Sequence, residues 1–233
     1  VIGTALFEDL DGDGVPDPTF GARDGVLFAL SGRTGEALWR FEPTGEAGRL
    51  NHYSPAKAGD GRIVTASGGD VSIPAFDPRP SGHLLLLDAV TGRVVAAAKT
   101  PDGGETYTSP LVRKGPDGLA GVVFGTGGET HAGSLWEAPL AALGKGDLSA
   151  ARKLVGPTTH KGLVGPPALV DLDGDSVDEI VAAFFDGRLV AVDGRTGKVR
   201  WTHAVKNGET HFSPIAGRFV GSARPDIVAL INE

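Results

Sequence analysis

The feature that most constrains the fold of this chain is an internal duplication. Residues 9–39 align without a gap on residues 171–201, an offset of 162, and about half of the 31 aligned positions are identical. Both copies begin with the letters DLDGD, and both end with GRTG followed four residues later by tryptophan. Self-similarity of this kind is the signature of an architecture that stacks one supersecondary unit several times. The chain is therefore predicted to consist of repeated units.

A third copy of the second half of the repeat lies between the other two, from Gly82 to Gly92. The glycines of the three TG pairs are Gly35, Gly92 and Gly197, with spacings of 57 and 105 residues. A unit of about 50 to 55 residues explains both spacings if one copy has diverged or lengthened, and the offset of 162 is then three units.

Each unit contains four strand signals. In the last full unit these are Pro167 to Val170, Ile180 to Phe185, an alternating run with Leu189 and Ala191, and a segment around Trp201. The 36 glycines and 16 prolines fit many short strands joined by tight turns. Four antiparallel strands per unit predict the blades of an all-β propeller, with Trp39 and Trp201 in the cores between blades. We place the blades at 1–45, 50–101, 105–157 and 162–205, with a partial fifth at 210–233. These are expected to form one incomplete domain, a portion of a seven- or eight-bladed propeller.

Two sequence families share these motifs. The loops of the form DxDGDGxxD resemble FG-GAP repeats, and the halves of the form GxLxALxxxTGxxxW resemble PQQ-like (quinoprotein-like) propeller repeats. The resemblance covers nearly the whole chain and is strongest in the first and fourth blades. It implies a β-propeller, and it suggests a PQQ-dependent dehydrogenase as the enzyme alternative.

The acidic loops of the first and fourth blades are predicted to bind two structural calcium ions. Calcium takes six to eight oxygen ligands, and alternating aspartates on a tight loop aim several oxygens at one point. Without a cation, so many close carboxylates repel one another. Magnesium is the rival ion, but it demands stricter octahedral geometry. The expected ligands are Asp9, Asp11, Asp13, the Val15 carbonyl and Asp17 in the first loop, and Asp171, Asp173, Asp175, the Val177 carbonyl and Glu179 in the second.

The corresponding loops of the other blades, around Gly115 to Ala120 and Phe219 to Asp226, lack this set of aspartates and are expected to hold no ion. Structural calcium is most useful where free calcium is high, which favours an extracellular, periplasmic or cell-envelope location. Ser176 departs from the usual glycine of the sharp turn, which is present as Gly14 in the first loop.

Charge and hydropathy exclude several partners. The formal net charge is −7, and basic residues do not cluster with aromatics, so a nucleic-acid partner is not expected. No apolar run, including Leu84 to Leu87, approaches the roughly 20 residues that a membrane-spanning helix needs, so no transmembrane segment is predicted.

The longest insertions lie on the face opposite the acidic loops. They run from Gly68 to Ser81 and from Gly125 to Gly133, and lengthened loops on a rigid scaffold often carry function. We expect this insertion face to bind a protein or glycan partner. The side chains expected to reach it are Asp70, Phe76, Arg79, Glu129 and His131.

Three alternatives to this scaffold function remain open. In the first alternative, the insertions serve only to cover an adjacent blade. The chain contains no pairing of nucleophile and base that stands out, which favours a non-enzymatic role. A PQQ-dependent dehydrogenase and a carbohydrate-active propeller, such as a polysaccharide lyase, are the two enzyme alternatives.

Overall fold

The computed structural model describes residues 3–22, 25–42, 51–52, 54–70, 72–115, 117–118 and 120–233. Within this part of the chain, almost all regular structure is β-strand, arranged in successive antiparallel sheets, each formed by strands from one continuous stretch of the chain.

The first and fourth sheets have the same four-stranded meander order. The strands of the first sheet are β1 (Leu6–Glu8), β2 (Asp17–Gly21), β3 (Leu27–Leu30) and β4 (Ala37–Phe41). Those of the fourth sheet are β14 (Ala168–Val170), β15 (Glu179–Ala183), β16 (Arg188–Val192) and β17 (Val199–Ala204). In both sheets the acidic loop connects the first strand to the second, and the GRTG turn connects the third strand to the fourth.

The second sheet has five strands, because two short strands pair with different parts of one long strand. Its strands are β5 (Asn51–His52), β6 (Ala56–Gly59), β7 (Arg62–Gly68), β8 (His83–Asp88) and β9 (Val94–Lys99). Both β5 and β6 pair with β7, so together they take the place of the first strand of a four-stranded blade.

The third sheet is a four-stranded meander, and the fifth contains two strands. The third comprises β10 (Leu111–Lys114), β11 (Ala120–Gly125), β12 (Leu135–Pro139) and β13 (Arg152–Val155), and the fifth comprises β18 (Ile215–Gly217) and β19 (Asp226–Val228). A four-residue helix, α1 (Leu140–Leu143), follows β12. None of the helices in the described ranges is long and apolar enough to cross a membrane.

The core lies between consecutive sheets. In β8, Leu84 and Leu86 pack in a cluster with residues of the third sheet, whereas Leu85 and Leu87 pack in a cluster with residues of the first. Successive side chains of a strand point to opposite faces, so a continuous apolar run is the pattern of a strand that is buried on both sides. This packing explains why Leu84 to Leu87 contains no polar residue.

The two equivalent tryptophans differ in burial. Trp39 is 8% exposed, and its indole Nε1 donates a hydrogen bond of 2.9 Å to the Ala89 carbonyl of the second sheet. Trp201 is 37% exposed, which corrects the prediction that it also lies in a core. The turn between β8 and β9 of the second sheet covers Trp39. The fifth sheet, which follows Trp201 in the chain, has only β18 and β19 among the described strands.

Candidate calcium-binding loops and the insertion face

The first acidic loop is folded around its own aspartates. The two carboxylate oxygens of Asp9 accept hydrogen bonds from the backbone amides of Gly12, at 2.9 Å, and Gly14, at 3.0 Å. Asp17, the first residue of β2, is fully buried and accepts hydrogen bonds from the amides of Leu10, at 2.7 Å, and Gly32, at 2.8 Å. The backbone therefore fixes carboxylates at both ends of the loop.

This fold brings three of the predicted ligands of the first loop together. Asp9, Asp11 and Asp17 each offer a carboxylate oxygen, and these oxygens lie within 4.8 Å of one another. Asp9 and Asp11 are exposed, whereas Asp17 is buried beneath them. A cation at this point would have three carboxylates around it on one side and open solvent on the other, which suits an ion that retains some water ligands.

The second acidic loop repeats this geometry. Asp171 accepts hydrogen bonds from the amides of Gly174, at 2.7 Å, and Ser176, at 3.0 Å, and buried Glu179 accepts one of 2.8 Å from the Leu172 amide. Ligand oxygens of Asp171, Asp173 and Glu179 again lie within 4.8 Å of one another. The longer side chain of Glu179 thus occupies the place of Asp17.

The third aspartate of each loop binds an arginine. Asp13 Oδ2 accepts a hydrogen bond of 2.6 Å from Arg33 Nε, and Asp175 Oδ2 accepts one of 2.5 Å from Arg195 Nε. The hydrogen bond from the arginine is the main reason that the pKa of each aspartate lies below its usual range. Asp13 and Asp175 therefore lie outside the two carboxylate clusters, and their role as ligands stays a prediction.

The two valines whose carbonyls were expected to be ligands follow these aspartates. The amide of Val15 donates a 2.8 Å hydrogen bond to Asp13 Oδ1, and the amide of Val177 donates one of the same length to Asp175 Oδ1. These bonds close a small turn in each loop. The part played by the Val15 and Val177 carbonyls stays a prediction.

One carboxylate oxygen of the second loop is buried without a hydrogen-bond partner among the described residues. This atom is Asp173 Oδ1. A buried carboxylate oxygen without a partner is costly, and a bound cation would remove that cost. The clustered carboxylates and this orphaned oxygen fit a calcium ion at the second loop.

The loop of the fifth sheet shows how such a turn closes with a single carboxylate. Asp226 begins β19, as Asp17 begins β2, and its Oδ2 accepts hydrogen bonds from the amides of Phe219, at 2.8 Å, and Val220, at 3.0 Å. It is the one acidic residue between 219 and 226. Of the corresponding loop in the third sheet, Pro116 and Leu119 lie outside the described residues.

The insertion face contains a buried ionic cluster. Glu105, in the connection between the second and third sheets, has a side chain that is 2% exposed. Its carboxylate lies 3.6 Å from Arg79 Nε and 3.3 Å from His131 Nδ1, and it accepts a 2.9 Å hydrogen bond from the Tyr107 hydroxyl. Burial raises the pKa of Glu105, although the hydrogen bond from Tyr107 and the charges of Arg79 and His131 oppose that shift.

Two residues expected to reach a partner belong to this cluster instead. The Arg79 side chain is 10% exposed, and its Nη1 donates to the carbonyls of Asp70, at 2.6 Å, and Ile73, at 2.9 Å, within its own insertion. The guanidinium of Arg79 is thus bonded to loop carbonyls, and its role as a partner anchor stays a prediction. The His131 side chain is 27% exposed and faces Glu105.

The other three predicted contact residues are more accessible. Phe76 is 82% exposed, and Glu129 is exposed and lies 2.9 Å from His211 Nε2. Asp70 is half-buried, and its Oδ1 accepts hydrogen bonds from the amide and hydroxyl of Ser72. Phe76 is thus the apolar side chain that the insertion face presents most fully to solvent among these residues.

Comparison with known proteins assigns the family. A profile described as outer membrane protein assembly factor BamB, built on PQQ-type repeats, matches residues 23–224. The chain belongs to this PQQ-repeat family. The match confirms the resemblance to quinoprotein-like propeller repeats that the TG motifs indicated.

Sequence relatives and structural neighbours of this chain include enzymes. Quinohemoprotein alcohol dehydrogenase ADH IIB of Pseudomonas putida is 28% identical over 142 residues, which make up 56% of this chain and 19% of that protein. A europium-containing methanol dehydrogenase superposes with a TM-score of 0.62 at 15% identity, covering 88% of this chain and 42% of that one.

A protein of the assembly-factor type is also among the neighbours. BamB from Moraxella catarrhalis superposes with a TM-score of 0.55 at 20% identity, covering 91% of this chain and 51% of that one. These superpositions confirm the all-β propeller fold. The chain spans about half or less of the length of these relatives.

The sequence analysis did not predict that three arginines contact aspartates of the acidic loops, namely Arg33, Arg195 and Arg200. A signal for the first two was present, because GRTG occurs in the two blades that also contain DLDGD, whereas the second blade has Val90 at the arginine position and no acidic loop. Arg200 carried no such signal, since the equivalent residue of the first blade is Leu38.

Proposed function

We propose that this chain is a non-catalytic, calcium-stabilised propeller scaffold that presents its insertion face to a protein partner, in the periplasm, at the cell envelope or outside the cell. The observation that carries the calcium part is the repetition of one carboxylate cluster. Asp9, Asp11 and Asp17 converge in the first blade, and Asp171, Asp173 and Glu179 converge at the equivalent place of the fourth.

The ion has a structural role in this proposal. Each cluster lies in a connection between the first two strands of a sheet, where a cation neutralises repulsion between carboxylates and holds the turn closed. Calcium is favoured over magnesium, because calcium takes six to eight oxygen ligands in irregular geometry, whereas magnesium demands near-ideal octahedral geometry.

Isothermal titration calorimetry with calcium tests the two sites. We expect two ions per chain for the wild type and one ion each for Asp11→Ala and Asp173→Ala. The control is Asp147→Ala, which removes an exposed carboxylate outside both loops and should leave the stoichiometry unchanged. Two bound ions in either loop variant would contradict the assignment.

The protein-binding part of the proposal rests on the insertion face and on the family. The profile description names an outer membrane protein assembly factor. This favours a protein partner over a glycan partner, and it favours a location at the cell envelope. Phe76, 82% exposed on the longest insertion, is the side chain best placed to act as an apolar anchor.

A photo-crosslinking amino acid at position 76 tests this face in the native host. The matched control is position 90, which is 57% exposed on the turn at the other end of strand β8. We expect a discrete crosslinked protein from position 76 and none from position 90. Equal crosslinking from both positions would contradict a binding site on the insertion face.

A PQQ-dependent dehydrogenase is the second candidate, and the 28% identity to an alcohol dehydrogenase favours it. Reconstitution with PQQ and calcium, followed by an absorption spectrum and a dye-linked dehydrogenase assay, separates the two functions. The scaffold function predicts neither bound quinone nor turnover. Stoichiometric quinone binding would overturn it in favour of the enzyme.

A further inference from the structure

The β-bulges in the fourth strands of the first and fourth sheets differ in the residue that they contain. In the fourth sheet Ala191 pairs with Trp201 and Val192 pairs with Val199, so Arg200 is the extra residue of a β-bulge. In the first sheet the same register shift leaves Leu38 as the extra residue. A bulge redirects the side chain that it contains. The same backbone device therefore presents an arginine in one blade and a leucine in the other.

Arg200 reaches the carboxylate cluster of its own blade. Its Nη1 lies 2.8 Å from Asp173 Oδ2 and 3.0 Å from Glu179 Oε1, and both acids belong to the second cluster. The Glu179 side chain is 3% exposed, so this contact is partly shielded from water. Leu38, by contrast, packs against the apolar core between the first and second sheets.

We infer that Arg200 is a built-in counter-cation of the second loop and that it ranks the two calcium sites, so that the Asp9 loop fills at a lower calcium concentration than the Asp171 loop. This inference rests on the proposed calcium function. A calcium ion at the second cluster has to displace or share the guanidinium contacts, and it also meets the repulsion of a nearby positive charge. Arg33 and Arg195 lie beside the two loops alike, so the first loop lacks only the cost that Arg200 adds.

The arginine does not replace the ion altogether. Arg200 bonds Asp173 through Oδ2, whereas the buried Oδ1 of the same carboxylate has no hydrogen-bond partner among the described residues. The second loop therefore keeps an unmet demand for a cation alongside its arginine. This combination predicts a weaker site, and not a lost one.

The consequence is a graded response to calcium. When calcium is scarce, Arg200 still neutralises part of the charge of the Asp173 and Glu179 cluster, whereas the cluster of the first loop has no equivalent of Arg200 among the described residues. The first loop should accordingly bind more tightly and should be the loop that loosens most when calcium is removed.

The test measures calcium affinity in chains that keep one site each. Asp173→Asn leaves the first loop, and Asp11→Asn leaves the second. We expect the second loop alone to bind calcium about tenfold more weakly than the first, the size expected for one partly exposed, charge-assisted ion pair. Adding Arg200→Leu to Asp11→Asn, which reproduces the residue of the first loop, should remove most of that difference.

A charge-preserving variant separates the effect of charge from that of shape. Arg200→Lys in the Asp11→Asn background should bind calcium as weakly as its parent. Equal dissociation constants with and without Arg200, or the same tightening from lysine as from leucine, would overturn this inference and leave the proposed function intact. Absence of calcium binding in every one of these chains would overturn both.

Discussion

At the scale of single residues, the two acidic loops differ in backbone strain. Ser176 has a φ of 65° at the position where the first loop has Gly14 with a φ of 83°. This left-handed region is unfavourable for residues that carry a Cβ, whereas glycine adopts it readily. Ser176 is held there because its amide donates to Asp171 Oδ2 at 3.0 Å, a bond that needs no side chain.

Replacing Ser176 with glycine should therefore stabilise the protein. We expect Ser176→Gly to raise the free energy of unfolding by about 0.5–1 kcal/mol, the left-handed penalty less the greater flexibility of unfolded glycine. The reciprocal change Gly14→Ser should lower it by a similar amount. Urea denaturation with a chelator present measures both without interference from calcium, and a destabilised Ser176→Gly protein would contradict the strain argument.

A residue-scale effect of pH is expected at the TG turn of the second sheet. Asp88 Oδ1 accepts hydrogen bonds from the Thr91 hydroxyl, at 2.7 Å, and the Thr91 amide, at 2.8 Å, and these bonds lower the pKa of Asp88. An acid whose pKa is lowered on folding stabilises the protein above its unfolded pKa of about 3.9 and loses that contribution as the pH falls through the folded pKa.

Asp88→Asn should consequently flatten the acid limb of the stability curve. Urea denaturation from about pH 6 down to about pH 3 should show a smaller loss of stability for the variant than for the wild type, because asparagine does not titrate. Other carboxylates titrate in both proteins, so the difference between the two curves is the relevant quantity. Parallel curves would show that the Thr91 hydrogen bonds contribute nothing.

At the scale of structural elements, the two insertions are tied to each other. The Thr130 hydroxyl of one insertion donates to the Ala75 carbonyl of the other. Arg79 and His131, one from each insertion, both approach buried Glu105 in the connection between the sheets. The reading in which insertions cover an adjacent blade is thus supported for these residues, while Phe76 remains accessible.

Loss of Arg79 should weaken this junction. Arg79→Ala leaves the Glu105 carboxylate buried with less compensation and also removes the donor to the Asp70 and Ile73 carbonyls. We expect a loss of about 2–3 kcal/mol in the free energy of unfolding. The control Arg218→Ala, at an exposed arginine, should cost less than about 0.5 kcal/mol.

A double-mutant cycle completes this test. Glu105→Gln, which leaves no carboxylate to be stranded, should make the further change Arg79→Ala cheaper than it is in the wild type. Additive effects would mean that Arg79 acts on its loop alone and that the junction is not ionic.

At the scale of the whole molecule, local signals in the sequence predicted the repeated architecture. These signals are glycine spacing, turn residues and the DLDGD loops, and each depends on residues that are close together in the chain. The observed sheets agree with them. The split of one strand position into β5 and β6, and the helix α1, had no periodic signal. The inward turn of Arg79 and the contact of Arg200 with Asp173 depend on long-range packing and on a β-bulge, which residue spacing does not encode.

The most direct test of calcium stabilisation is a thermal melt of the whole chain in excess calcium and in a calcium chelator, with magnesium as the matched ion. An ion that binds only the folded state adds about 2.7 kcal/mol per site at a hundredfold excess over its dissociation constant. For a chain of 233 residues this corresponds to a rise in Tm of about 5–10 °C for each filled site. We predict a rise of at least this size with calcium, a much smaller one with magnesium, and none when Asp11→Ala and Asp173→Ala are combined. An unchanged Tm in calcium, or an equal rise in magnesium, would contradict the calcium-stabilised propeller.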